Sequence, residues 1–111
     1  MAFPEHFLAV RATIEPDHED EFNRWYDEEH LPEAVDLFPG CLEAARYRVV
    51  EGDGSHRYIA MYAFRSAADV EHVTKSPELK ELVRRYDEAF GGLSSRNRTT
   101  YSILSRAKPA T

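Results

Sequence analysis

The 111-residue chain has little that would crosslink it or hold it in a membrane. Cys41 is its only cysteine, which excludes an intrachain disulfide and any metal site built from several thiolates. No segment is long and apolar enough to span a bilayer, and the first residues lack the basic and apolar regions of a signal peptide. We therefore expect a cytoplasmic protein with no membrane partner.

Positive charge is also scarce, with 14 Lys and Arg against 20 Asp and Glu and a formal net charge of −6. Nucleic acids are bound by basic surfaces, so this balance argues against nucleic acid as a partner. Arg96, Arg98 and Arg106 do cluster near the end of the chain. They alternate with polar residues along a predicted strand, which is typical of a solvated face.

Common cofactor and metal motifs are missing. Gly52 and Gly54 lie in a predicted turn between two strands, which is the wrong context for a nucleotide or phosphate loop. The five histidines form no closely spaced pair, whereas a zinc site needs at least three converging ligands. We expect no metal and no resident cofactor.

The hydrophobic patterns that are present predict four strands and two helical regions in the order β-α-β-β-α-β. Strands are expected at 6–14, about 42–50, 58–64 and about 98–105. The first helix is expected from an N-cap at Asp17 to about Leu31, with a short helical turn at 32–37 after Pro32. The second helical region is expected at 67–75, with Ser66 as N-cap, and at 77–90, with Ser76 as N-cap.

This order predicts one domain over residues 1–111, of the α+β class, with a ferredoxin-like fold. In that fold a four-stranded antiparallel sheet carries both helical regions on one face. The third predicted strand has apolar residues on both faces, including Ile59 and Met61 on one and Tyr62 and Phe64 on the other. An uncovered sheet face of this kind would be a large apolar patch, so we expect a homodimer that packs sheet against sheet.

The first helix carries the most distinctive pattern. Phe22, Tyr26 and His30 are spaced four apart and share a helix face, so an imidazole follows an aromatic stripe. Imidazole has an ordinary pKa of about 6.5 and suits general acid–base catalysis. Alternatively, His30 is a structural residue that the dipole at the helix C-terminus stabilises.

Three short segments carry a resemblance to a known family. They are the run WYDEEHLP at residues 25–32, Phe-Pro-Gly at 38–40 and Ala-Arg-Tyr at 45–47. Together they resemble the dimeric α+β barrel superfamily, and its EthD-like branch in particular. The resemblance implies a pocket between the helices and the sheet, with His30 as a functional histidine. The superfamily supports several reactions, so the resemblance does not imply a single one.

We predict His30, Tyr26 and Tyr62 as catalytic residues, with His30 moving a proton and the tyrosines stabilising an oxyanion. Glu29 diverges from His30 by about 100° around the helix and is expected to meet Arg46 or a backbone N–H instead. Five further aromatic residues are the predicted substrate-binding residues: Phe22, Trp25, Tyr47, Tyr86 and Phe90.

The function that these residues favour is that of a cofactor-independent acid–base enzyme acting on a small cyclic or aromatic molecule. Cyclase, isomerase, lyase and EthD-like oxygenase reactions all fit. Two alternatives stay open: a non-catalytic dimer that binds a small molecule with His30 as a hydrogen-bond donor, and a haem-binding protein with His30 as axial ligand.

Overall fold

The computed structural model of the chain describes residues 3–110, which form an antiparallel sheet with its helices on one face. The strands are β1 (His6–Ala12), β2 (Cys41–Arg48), β3 (Tyr58–Phe64) and β4 (Arg96–Ser102), in the spatial order β2-β3-β1-β4. The helices are α1 (Glu19–Trp25), α2 (Leu31–Leu37), α3 (Ala67–Thr74) and α4 (Pro77–Phe90). The predicted α+β class and ferredoxin-like order are confirmed. None of the helices in the described part of the chain could cross a membrane.

Alternation along the central strands decides which sheet face meets the helices. On β3, Tyr58, Ala60, Tyr62 and Phe64 are buried, while the residues between them are only partly buried. They join Leu8 and other β1 residues of the same parity in one core with the apolar side of the helices. This period of two places every second side chain of β1 and β3 under the helices.

Side-chain caps fix the starts of α3 and α4. The Ser66 hydroxyl accepts a hydrogen bond from the Asp69 N–H at 3.1 Å, and the Ser76 hydroxyl accepts one from the Leu79 N–H at 3.1 Å. Pro77 occupies the first turn of α4, where its missing N–H costs no helical bond. Both predicted caps are therefore confirmed. α4 buries Leu79, Leu82, Tyr86 and Phe90, whose spacing of three or four residues places them on one side of the helix.

Some predicted boundaries were wrong. β1 ends at Ala12 rather than at residue 14, and β4 begins at Arg96 rather than at residue 98, because Ala12 and Arg96 are paired at the end of the β1–β4 ladder. Asp17 does not cap the first helix. It lies in a 3₁₀ turn, Pro16–His18, and neither that turn nor α1 has a side-chain cap.

The first helix also differs from a regular α-helix. Between α1 and α2 runs a wide π-helical turn, Tyr26–His30, in which the Leu31 N–H bonds the Tyr26 carbonyl five residues earlier. In a regular α-helix the ring of Pro32 would clash with the carbonyl of Glu28, four residues before it. Glu28 lies inside the wide turn, which relieves this clash and lets the helix continue to Leu37. Turns of this kind are frequent at functional sites.

The tight step between α2 and β2 depends on Gly40. Its backbone has φ of 79°, and a Cβ atom at this position would lie 2.6 Å from the Asp69 carboxylate. Only glycine fits both the backbone conformation and the close approach. The fold therefore explains why the Phe-Pro-Gly segment ends in glycine.

No helix among residues 3–110 lies on the other face of the sheet. Phe7 and Tyr101 stack there across β1 and β4 with ring centroids 4.6 Å apart. Ile59 and Met61 are partly buried on the same face, and Tyr47 is 53% exposed. We call this surface the open sheet face.

Candidate active site

A cavity of about 360 Å³ lies between the helices and the sheet. Its apolar wall comes from β1 and α4, its inner polar groups come from the π-helical turn and β3, and its mouth is formed by β4. The lining residues are Leu8, Val10, Tyr26, His30, Phe38, Tyr62, Leu79, Leu82, Val83, Tyr86, Arg96, Asn97 and Arg98. This volume is within the range of small-molecule sites, roughly 300–1,000 Å³.

His30 is held by aromatic rings. The indole of Trp25 stacks on the imidazole with centroids 4.6 Å apart and planes 20° apart. The rings of Tyr26 and Tyr86 meet it edge-on at 5.0 and 5.7 Å. Residues five apart on a regular α-helix point about 140° away from each other, so the Trp25–His30 stack depends on the wide turn.

The His30 imidazole is buried, and one of its two nitrogen atoms lacks a hydrogen-bond partner in the described part of the chain. His30 is 7% exposed, and its Nδ1 atom has no hydrogen-bond partner among residues 3–110. Leaving a buried polar atom unpaired is costly, and such atoms in folded proteins call for an explanation. Nδ1 has almost no accessible surface, so a ligand in the cavity, which His30 lines, would meet the other atoms of the imidazole.

Burial lowers the pKa of His30 to about 4, and the positive charges of Arg96, Arg85 and Arg46 act in the same direction. The side chain is therefore neutral at physiological pH. A neutral imidazole can accept a proton or donate one hydrogen bond, but it cannot start a reaction as an acid. The shift narrows the expected acid–base role to that of a proton acceptor.

Two phenols lie together at the cavity wall. The hydroxyls of Tyr26 and Tyr62 are 3.4 Å apart, and both residues are 2% exposed. Burial raises the pKa of Tyr26 to about 12 and that of Tyr62 well above its ordinary value. Both side chains are therefore protonated at neutral pH. One hydroxyl donates to the other in their mutual hydrogen bond, which leaves one O–H to donate to an oxygen atom in the cavity.

Arg46 on β2 supports this wall from behind. Its guanidinium lies 4.3 Å from the centre of the Tyr26 ring and donates to the Asp27 and Asn23 side chains, each at 2.8 Å. The prediction that Glu29 meets Arg46 or a backbone N–H was wrong, since the Glu29 side chain makes neither contact among residues 3–110. Glu29 borders a surface cleft with Arg85 and Glu33. Asp27 takes its place because Asp27, not Glu29, is on the helix side that faces β2.

Tyr86 and Arg96 form the end of the cavity near β4. The Tyr86 hydroxyl and the Ser94 hydroxyl are 2.5 Å apart, and Ser94 donates to the Thr13 carbonyl. The guanidinium of Arg96 lies 4.0 Å from the centre of the Tyr86 ring and donates to Asp87 at 2.8 Å. Tyr86 is therefore fixed, with its ring rather than its hydroxyl available to a ligand.

The structure brings only some of the predicted site residues together. His30, Tyr26, Tyr62 and Tyr86 line the cavity. Phe22 and Phe90 pack in the core beneath these rings, and Trp25 lies behind His30 without lining the cavity. Tyr47 is separated from all of them, because its parity on β2 places it on the open sheet face.

Sequence reasoning missed the arginines. Arg96 and Arg98 were interpreted as a solvated face, but Arg96 has a side chain only 22% exposed and both residues line the cavity. Their shared parity is visible in the sequence. What the sequence does not show is the register: Arg98 is opposite Val10 and Arg96 is opposite Ala12, both on the helix side of β1.

Within residues 3–110 no group of three or more His, Cys, Asp and Glu side chains is arranged to hold a metal ion. The polar groups of the cavity are phenols, a single imidazole, arginines and the Asn97 amide. These are donors for an oxygen-rich organic ligand rather than a set of metal ligands.

Comparison with known proteins supports the fold more than the chemistry. Residues 6–102 match the family model described as a domain of unknown function, DUF4286. No curated protein matches the chain.

Solved structures share its architecture. HapK from Hahella chejuensis superposes with a TM-score of 0.66 at 12% identity, over 96% of this chain and 99% of HapK. An EthD family protein from Bacillus halodurans gives 0.63 at 13% identity, over 85% and 96%. SnoaB from Streptomyces nogalater, a cofactor-independent oxygenase, gives 0.59 at 14% identity, over 96% and 99%. The expected EthD-like resemblance is confirmed as a likeness of fold.

Proposed function

The chain belongs to the DUF4286 family of domains of unknown function, and from its site geometry we propose that it is a cofactor-independent acid–base enzyme. Its substrate is a small cyclic or aromatic molecule with an acidic C–H or a phenol. The observation that carries this proposal is His30, a buried imidazole in the wall of a cavity that Tyr26 and Tyr62 also line.

The proposed chemistry follows from the protonation states. Neutral His30 accepts the substrate proton, which leaves the bonding electrons on the substrate as an enolate or phenolate. The hydrogen-bonded pair of Tyr26 and Tyr62 donates its remaining O–H to that oxygen. Once the substrate anion forms beside His30, it stabilises the new imidazolium. The pKa of His30 therefore rises above its value in the absence of substrate. Reprotonation at another atom completes an isomerisation, and reaction of the anion with dioxygen completes an oxygenation.

The fold of the neighbours supports the proposal, since one of them is a cofactor-independent oxygenase. At 14% identity this support concerns the architecture and not the reaction.

Proton abstraction can be tested before the natural substrate is known. In D₂O, the protein should speed deuterium incorporation at C1 of 2-tetralone, a bicyclic aromatic ketone with an acidic C–H, as followed by NMR. His30→Gln should reduce the protein-dependent rate by about 10²–10⁴, the usual contribution of a general base. His72→Gln, at an exposed histidine on α3, is the matched control and should keep the full rate.

Other results would favour the alternatives. Full exchange activity in His30→Gln would leave His30 as a positioning residue. Binding of 2-tetralone without exchange would favour the non-catalytic binding dimer. A Soret shift on addition of haem that His30→Gln abolishes would favour the haem-binding protein. Oxygen consumption during the reaction would separate an oxygenase from an isomerase.

A further inference from the structure

We propose that the cavity selects a ring compound that carries a carboxylate or a related anionic oxyacid group, and that Arg98 at the cavity mouth is the residue that selects it. This inference rests on the proposed function of the same cavity, whose substrate class it narrows.

The first observation is the position of Arg98. It lies on β4, the edge strand, directly opposite Val10 on β1, and both residues line the cavity. Arg98 is exposed, whereas His30, Tyr26 and Tyr62 are buried. A bound ring would therefore extend its charged group toward solvent and place its reactive atoms among the buried polar groups.

The second observation is that Arg98 has no ion-pair partner among the residues that the structure describes. Arg46 is paired with Asp27, Arg96 with Asp87, and Arg85 with Glu33 and Glu81. Among residues 3–110, Arg98 forms neither a hydrogen bond through its guanidinium nor an ion pair, although the protein as a whole is acidic. Its fork of N–H donors is thus open to a ligand.

The third observation is the sign of the charges around the cavity. None of the described residues that line it is acidic, and its mouth carries two arginines and Asn97. An acidic substrate would meet no like charge on entry. A guanidinium matches a carboxylate with two parallel hydrogen bonds, which gives orientation as well as affinity.

The wall chemistry fits the rest of such a ligand. Leu79, Leu82 and Val83 of α4 and Leu8 of β1 offer apolar contacts to the faces of a ring. Anchoring at Arg98 and packing against α4 would then fix how the ring approaches the tyrosines and His30.

The experiment compares two probes of the same shape, 2-naphthoate with a charged carboxylate and 2-naphthamide with a neutral amide in its place. Calorimetry at low salt should show that wild-type protein binds the naphthoate about tenfold or more tightly than the amide, the ratio expected for one charged hydrogen-bonded contact. Arg98→Gln should remove that preference and leave naphthamide affinity unchanged. Arg57→Gln removes the same charge at an exposed position in the β2–β3 hairpin, outside the cavity, and should leave the preference intact.

Each failure has a distinct meaning. Equal affinity of the two probes in wild type, or an equal loss in Arg98→Gln and Arg57→Gln, would overturn the role of Arg98. If naphthamide still shifts the NMR signals of His30 in that case, the proposed function stands without the anionic group. If neither probe shifts those signals, both the inference and the proposed ring-binding cavity are wrong. An unchanged thermal midpoint of Arg98→Gln checks that the variant is folded.

Discussion

His30 is surrounded by groups that make protonation of its ring unfavourable. The rings of Trp25, Tyr26 and Tyr86 exclude water from it, and positively charged arginines approach from β2, α4 and β4. A histidine that serves only to stabilise a helix C-terminus does so in its charged form, the imidazolium. Neighbouring arginines destabilise that form by repulsion between like charges. The surroundings of His30 therefore suit a neutral base better than a structural cation.

The low pKa of His30 makes stability depend on pH. In the folded protein the pKa is about 4, against about 6.5 in an unfolded chain. Between these values the unfolded state binds the proton and the folded state does not, so stability falls as the pH is lowered through this window. The loss from this one residue between pH 7 and pH 4 should be about 3 kcal/mol.

Urea unfolding at several pH values measures this contribution. His30→Gln should remove about 3 kcal/mol of the decline that wild type shows between pH 7 and pH 4. His72→Gln, on the exposed side of α3, should decline as wild type does. Identical slopes for wild type and His30→Gln would mean that the folded protein protonates His30 as easily as the unfolded chain does.

For single residues, the sequence predicts that His30 lies among aromatic rings, but it does not predict that the His30 ring is neutral. The spacing of Phe22, Tyr26 and His30 is enough to predict an imidazole among aromatic rings. The arginines that depress its pKa come from three other elements, and their positions depend on strand register and helix packing. Spacing along one helix cannot contain that information.

The π-helical turn is the feature of the helices that matters most for the site. Helical periodicity correctly predicts that Tyr26 and His30 face inward, because one widened turn changes their direction little. It does not predict the Trp25–His30 stack, since that contact requires residues five apart to share a side. Pro32 is the sequence signal of the irregularity, but it was interpreted as a helix stop.

α4 supplies the apolar wall of the cavity, and Leu82 tests its packing. Leu82 is 2% exposed and lies in the core cluster. Leu82→Ala should lower the free energy of unfolding by about 2–5 kcal/mol, the usual cost of emptying a buried leucine site. Chemical denaturation measures the change, and a loss near zero would mean that α4 does not pack on the sheet as described.

Leu42→Ala is the matched control for that measurement. Leu42 lies on β2 with 60% of its surface exposed. Its truncation should change the free energy of unfolding by about 0.5 kcal/mol or less.

For the whole molecule, the order of strands and helices could be predicted from the sequence. The homodimer remains a prediction. Strand alternation and the two serine caps were enough to predict the sheet, its helices and the single core. The open sheet face carries Phe7, Ile59, Met61 and Tyr101, and no helix in the described part of the chain covers it. We expect a homodimer that buries this face, as a cover for apolar surface that would otherwise meet water.

Met61 tests the dimer because it lies on an inner strand of the sheet, between Ala9 and Ala45 on the neighbouring strands. Sedimentation at micromolar concentration should give twice the chain mass for wild type and the chain mass for Met61→Arg. Ala89→Arg, an exposed change on α4, should remain dimeric. A monomeric wild type would show that the open sheet face is not an interface between copies.

The most direct test of the central claim is an NMR titration of the ¹⁵N-labelled His30 ring, with and without 2-naphthoate. The site geometry predicts a neutral ring from pH 8 down to about 5, with a pKa of about 4. It also predicts ring nitrogen shifts that change when the probe binds, because a ligand beside the imidazole alters its hydrogen bonding. A pKa near the ordinary value of about 6.5, with shifts that the probe leaves unchanged, would contradict a neutral proton acceptor in the cavity wall.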